Sequence, residues 1–145
     1  GREMLKDILA GRIQIADKAE NWKKAIAMVI EPMQKDGVVE GRYLQAIYEN
    51  VAVNGDYFII MPEFAMPHTR PEYGALKNGL SLLKLREPVT FSSGQKVSYL
   101  IGIAATDSDA HVDTLAELVD VLMDEEVLEK LKNADSVEEL QEVFA

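Results

Sequence analysis

Cysteine is absent from the 145-residue chain, which removes disulfides, thiolate zinc ligands and thiol nucleophiles together. Such a chain suits a reducing cytosol. Long apolar runs are missing as well. None approaches the roughly 20 residues that span a bilayer, and Gly1–Ala10 lacks the extended apolar segment of a signal peptide, so a soluble, unexported, cytoplasmic protein without membrane insertion is expected. Positive charge is scarce: 15 Lys and Arg stand against 25 Asp and Glu, a formal net charge of −10. That balance opposes nucleic-acid binding, which needs clustered cations to release phosphate counterions, and favours basic protein partners met in fast, salt-sensitive encounters. Nor is there a glycine-rich phosphate loop or a nucleophile elbow, because Gly79-Leu80-Ser81-Leu82-Leu83 lacks the second glycine the elbow requires. Nucleotide-driven chemistry is unsupported.

What remains is enough for one ordinary domain. Hydrophobic residues make up 48% of the chain, sufficient to bury a core without metal or cross-links. No repeat, low-complexity tract or dividing linker interrupts residues 1–145. Gly1–Glu3, ahead of Met4, read as an expression remnant without weight in the fold.

Apolar residues Trp22, Ala25, Ile26, Val29, Ile30 and Met33 recur at the spacing of a one-faced helix, which Pro32 should end or bend. Tyr43, Leu44, Ile47, Tyr48 and Val51 repeat the stripe before Asn54-Gly55 stops it. Two helices are thus expected ahead of the first strand, Tyr57–Met61. Pro62 and Pro67 enclose a second short extended piece that leads into His68. Gly79–Leu85 alternates partly, and Val97–Ala105 is nearly continuous in apolar character, as in a strand covered on both faces. The polar segment Arg86–Lys96 between them reads as a hairpin-like loop. Asp107, Ser108 and Asp109 can cap a helix carrying Val112, Leu115, Leu118, Val119 and Leu122, with His111 in its first turn. A short helix around Val127–Leu131 follows, then another opened by the capping-box pair Ser136 and Glu139. The pattern predicts an α/β (α+β) domain, a small mixed sheet flanked by helices. Trp22, Met33 and Met66 fall at core positions, and the acidic run Asp120–Glu129 reads as a solvated face.

Only two histidines occur, and imidazole alone can be both neutral nucleophile and proton carrier near pH 7. Around His68, Pro67 restricts the preceding backbone, and Thr69, Arg70 and Glu72 bring a hydroxyl, a guanidinium and a carboxylate. A guanidinium can neutralise a transferring phosphoryl group. His111 sits by a helix N-terminus, where free N–H groups favour anions. On local sequence alone, a structural His68 and a solvated His111 remain open. A metal site built on the pair would need a third ligand such as Asp109 or Asp113.

The stretch Met61-Pro-Glu-Phe-Ala-Met-Pro-His-Thr-Arg-Pro-Glu-Tyr-Gly74 resembles the active-site signature of enzyme IIA domains of the fructose–mannitol class in the bacterial phosphoenolpyruvate-dependent phosphotransferase system. Arg42-Tyr43-Leu44-Gln45-Ala46-Ile47, Ala65-Met66-Pro67-His68, Arg70-Pro71-Glu72 and Asp107–His111 are similar to strings of its ascorbate-specific branch. The resemblance covers nearly the whole chain. It implies the enzyme IIA fold and a phosphoryl carrier: His68 would accept phosphate on Nε2 from the phosphocarrier protein HPr and pass it to a cysteine of enzyme IIB, which serves the membrane permease enzyme IIC. It also brings His111 beside His68 as an orienting and stabilising group, with Arg70, Thr69 and Ser108 as candidate phosphate contacts. No cofactor and no metal beyond the transient phosphohistidine are implied. The implied substrate is L-ascorbate. One departure stands out: mannitol-type members carry an arginine near the end of the helix before the active-site strand, where this chain reads Tyr48-Glu49-Asn50, and Arg70 is the candidate replacement. Competing readings are a regulatory enzyme IIA, a carrier for another sugar or sugar alcohol, a metal-dependent hydrolase on His68, His111 and Asp109, and a non-catalytic interaction module.

Overall fold

A computed structural model describes residues 2–145. The chain runs α1 (Arg2–Leu9), β1 (Ile13–Ala16), α2 (Trp22–Lys35), α3 (Gly41–Asn54), β2 (Glu63–Ala65), a 3-10 turn (Pro71–Tyr73), β3 (Gly79–Thr90), β4 (Lys96–Ala104), α4 (Ser108–Leu122), α5 (Glu125–Asn133) and α6 (Val137–Val143). The sheet order is β1-β3-β4-β2. The outer pairs β1/β3 and β2/β4 are parallel and the central pair β3/β4 is antiparallel. This is the expected mixed sheet between helices.

Alternation along the central strands builds two cores. Leu83, Leu85, Leu100 and Ala104 pack with Ala25, Ile26, Val29, Ile30, Met33, Tyr43 and Ile47 of α2 and α3. Leu80, Leu82, Tyr99, Ile101 and Ile103 face the opposite side, against Leu5, Leu118, Leu122, Leu131 and Leu140 of the other four helices. Successive residues of a strand point to opposite faces, so β4 reads as continuously apolar because both faces are covered. Gly102 belongs to this design. A Cβ there would come within 3.0 Å of Ile30 Cδ1 and Met33 Cε, so its absence lets α2 lie close on the strand.

The helix ends follow their sequence signals. Asn21 and Asp107 accept from the amides of Lys24 and Ala110, and Gly55 closes α3 at φ 71° with its N–H on Val51 O. Ser136 Oγ accepts from Glu139 N at 3.1 Å. Pro32 does not end α2, which continues to Lys35. The carbonyl four residues back, deprived of its helical donor by proline, is Met28 O. The Gln14 side chain donates to it at 2.8 Å.

Of the first three residues, Gly1 lies outside the described residues, and Arg2 and Glu3 form the start of α1. Three expectations need correction. A strand precedes the two helices: β1, held by pairing with β3 from Ile13↔Leu82 to Ala16↔Leu85. Tyr57–Met61 is not a strand. After Gly55 the chain turns, with Ile59 N–H on Asp56 O, and only Met61 makes an isolated bridge, to Phe64. Its aromatic content serves packing, with Phe58 wholly buried. The segment Arg86–Lys96 is mostly strand: β3 extends to Thr90 and only Phe91–Gln95 turns, Phe91 N–H bonding Gln95 O at 2.8 Å.

Lys84 is buried in this frame and caps α5. Its ammonium donates to the carbonyls of Leu131, Lys132 and Ala134 at 2.8, 2.9 and 2.5 Å. Those are the carbonyls a helix C-terminus leaves without partners.

Candidate functional site

Strands β2 and β4 run parallel, so their C-terminal ends meet at one edge of the sheet, where open α/β folds form crevices. Pro67 O extends the pairing by accepting from Ile103 N–H at 3.0 Å. His68 follows at once. At the end of β4 the chain turns into α4, whose first turns carry Ser108, His111 and Val112. The two imidazoles lie with ring centroids 4.6 Å apart.

His68 is held from three sides. Its Nδ1 lies 2.6 Å from Met66 O. A carbonyl only accepts, so Nδ1 carries the proton and the Nε2 lone pair is free. The Tyr57 ring meets the imidazole edge-on, at 5.4 Å and 88°, and the Tyr57 hydroxyl donates to His68 O. Burial is the main force on the His68 pKa, pushing it down from 6.5 to about 4. The Met66 carbonyl opposes that shift and His111 adds to it. Burial likewise lowers His111. Both imidazoles are therefore neutral at physiological pH.

The rest of the wall is fixed from behind. Buried Tyr43 of α3 donates to Ile103 O at 2.6 Å and accepts from Thr69 N–H at 3.2 Å, tying helix, sheet and the post-His68 segment together. Burial raises its phenol to about 12, the Thr69 contact offsetting part of the effect. Tyr57 is also pushed up by burial first and Tyr43 second, and the Asn50 side chain, which hydrogen-bonds it, lowers it. Asn54 in turn donates to Asn50 Oδ1.

These groups line a pocket of about 370 Å³ bounded by Asn50, Tyr57, the run from His68 through Glu72, Ser108, His111 and Val112. All five residues expected at the site are therefore brought together. They are not equivalent. Thr69 Oγ1 is enclosed and has no hydrogen-bond partner, whereas Arg70 is largely exposed and pairs with Glu72 at 3.3 Å. Ser108 is the first residue of α4, and because Asp107 caps only the Ala110 amide, the Ser108 and Asp109 amides stay at the open helix end. Among the described residues no group of three His, Cys, Asp or Glu could hold a metal ion, and Asp109 and Asp113 do not join the pocket.

Asn50 and Tyr57 were not singled out as site residues from the sequence. Asn50 belongs to Tyr48-Glu49-Asn50, the string where the family pattern departs, and that departure was the available signal. Tyr57 gave none, because its aromatic neighbourhood reads as core.

Fold and pocket together define a class: a three-layer mixed-sheet domain with two neutral imidazoles in an open crevice at its strand ends. Known proteins agree. Residues 8–145 match the family model "Phosphoenolpyruvate-dependent sugar phosphotransferase system, EIIA 2". A mannitol-specific cryptic phosphotransferase enzyme IIA component of Escherichia coli is 36% identical over 134 residues, 92% of this chain and 91% of that protein. A solution structure bearing that description matches with TM-score 0.89 at 35% identity, covering 97% of both chains. An ascorbate-specific EIIA component of E. coli is 35% identical over 145 residues, 97% of this chain and 94% of the relative. The E. coli complex of enzyme IIA-mannitol with phosphorylated enzyme IIB-mannitol matches with TM-score 0.80 at 29% identity, covering 93% of this chain and 94% of that one. The chain belongs to the EIIA 2 family of the phosphoenolpyruvate-dependent sugar phosphotransferase system, and it is a phosphotransferase component of that system. No described helix is long and apolar enough to cross a membrane.

Proposed function

We propose that the protein is a cytoplasmic phosphoryl carrier that receives phosphate from HPr on His68 Nε2 and delivers it to the active-site cysteine of an enzyme IIB feeding an enzyme IIC permease. The observation that carries this reading is the 2.6 Å contact between His68 Nδ1 and Met66 O, which presents the Nε2 lone pair in an open pocket. In the first step that lone pair attacks the phosphorus of the donor's phosphohistidine. An N–P bond forms, the donor's N–P bond breaks, and its electron pair leaves with the donor imidazole. In the second step the enzyme IIB thiolate attacks, an S–P bond forms, and His68 regains its lone pair. Nδ1–H stays on Met66 O through both steps, so no proton need leave the ring. Such transfer depends on positioning and charge stabilisation, and neither step calls on a metal or cofactor.

His111, neutral and 4.6 Å away between ring centroids, can donate a hydrogen bond to a phosphoryl oxygen and orient it. The open amides of α4 at Ser108 add partial positive charge. Exposed Val112 on the rim offers an apolar contact to the partners. The transported solute we assign is L-ascorbate, supported by the signature strings and by the ascorbate-specific relative's match across the chain.

The test is transfer of labelled phosphate from phosphoenolpyruvate, enzyme I and HPr onto wild type, His68→Ala and His111→Ala, then onto ascorbate-type and mannitol-type enzyme IIB. Acid-labile label lost in His68→Ala and slowed in His111→Ala supports the carrier. Unlabelled wild type refutes it, and preference for a mannitol-type enzyme IIB overturns the ascorbate assignment alone.

A further inference from the structure

Among the described residues lining the His68 pocket, Arg70 carries the one permanent positive charge, yet it is already engaged, with Nη2 3.3 Å from Glu72 Oε2. The backbone beneath this pair is firmly held. Arg42 Nη2 donates to Glu72 O at 3.1 Å while its Nε bonds Glu40 Oε2 at 2.9 Å. Pro71 opens the 3-10 turn, and Gly74 closes it at φ 129°, a conformation that favours glycine. The side chains above are largely exposed on both sides of the pair. A rigid turn therefore presents a loosely held ion pair to the mouth of the pocket.

Resting on the carrier reading, we infer that Glu72 is a positioning residue that holds Arg70 as a latch: Glu72 keeps the guanidinium when His68 is bare and yields it to the phosphoryl group when His68 is phosphorylated. The exchange favours the phosphoryl group. An exposed carboxylate pair is weak, worth no more than about fivefold in an equilibrium, whereas a phosphoryl group carries about −1.5 to −2 charges and presents three oxygens to the guanidinium fork. In the bare state the latch neutralises the one cation, so the pocket is a poor trap for free anions. In the phosphorylated state, breaking the Arg70–Glu72 pair is subtracted from the stabilisation of phosphohistidine. Glu72 thereby keeps the group easy to pass on. Asn50 is turned to Tyr57, and among the described residues lining the pocket no second cation makes up the difference.

The test measures the ratio of phosphorylated to bare carrier at equilibrium with the HPr pool in wild type, Glu72→Gln, Arg70→Gln and the double variant. Glu72→Gln is expected to raise the ratio about two- to fivefold, Arg70→Gln to lower it, and Glu72→Gln to have no effect once Arg70 is gone. Arg70→Lys restores part of the loss, and the Arg70 Nε–Hε resonance moves on phosphorylation of wild type. A Glu72→Gln effect that persists without Arg70 shows direct repulsion of the phosphoryl group and overturns the latch, as does an unchanged ratio in the single variant. Wild type that takes no label at all overturns the carrier reading together with the latch.

Discussion

Acid should destabilise this protein through His68 in a measurable way. The group titrates at about 4 when folded, against 6.5 when free, because burial penalises the imidazolium, with His111 adding to the penalty and the Met66 carbonyl opposing it. A folded pKa below the unfolded one means that the unfolded chain takes up the proton first. The His68 contribution is therefore fully present above pH 6.5 and is lost as pH falls toward 4. With these two values the loss at pH 5 is about 2 kcal/mol, a large fraction of a domain's usual stability. Carboxylates titrate over the same range, so a difference measurement is needed. Urea unfolding of wild type and His68→Gln at pH 7 and pH 5, at fixed ionic strength, supplies it. Wild type is expected to lose about 2 kcal/mol more than the variant between the two pH values. Equal losses would refute the claim that His68 is held neutral by the fold.

Tyr57→Phe keeps the ring against His68 but removes the hydroxyl from His68 O and from Asn50. We expect a stability loss of about 1–3 kcal/mol, seen in the urea midpoint, with slower phosphoryl acceptance in the labelled-phosphate assay. Lys84→Met strips the donor from three carbonyls at the C-terminal end of α5, and denaturation should show a cost of about 2–4 kcal/mol at unchanged phosphorylation. Ser81 is wholly buried with its hydroxyl unpartnered. Ser81→Ala should therefore raise stability, by about 1 kcal/mol, and a lower melting temperature would contradict that.

Helices α2 to α6 were legible in the sequence because each carries its own signal, apolar spacing in α2, α3 and α4, capping side chains at Asp107 and Ser136, and a stop at Gly55, whereas α1 was not read at all. The continuous apolar run of β4 was legible for the same local reason. Strand β1 was not. Its four residues are all half-buried, too short for a period of two to register, and they are strands only because β3 lies beside them, some 70 residues further along the chain. Tyr57–Met61 misled in the opposite direction, since β-branched and aromatic residues fit any half-buried surface and here they wedge a turn. At the site, His68 and His111 were identified by family resemblance. Their meeting depends on the parallel β2/β4 pair, which no local pattern encodes. Tyr57 was hidden for the same reason, since it braces a neighbour through tertiary contacts, and Asn50 showed only as part of a departure from the family pattern.

The bond from His68 Nδ1 to Met66 O has a kinetic consequence under the proposed relay. It fixes the ring so that a single nitrogen, at a single mouth, serves both the incoming and the outgoing phosphate. Donor and acceptor cannot dock together, so turnover must be ping-pong, with parallel double-reciprocal plots. Each protein should act as a dead-end competitor of the other when in excess. Flux through such a shuttle is set by how quickly each visitor leaves, and a tighter grip on either partner would slow the pathway.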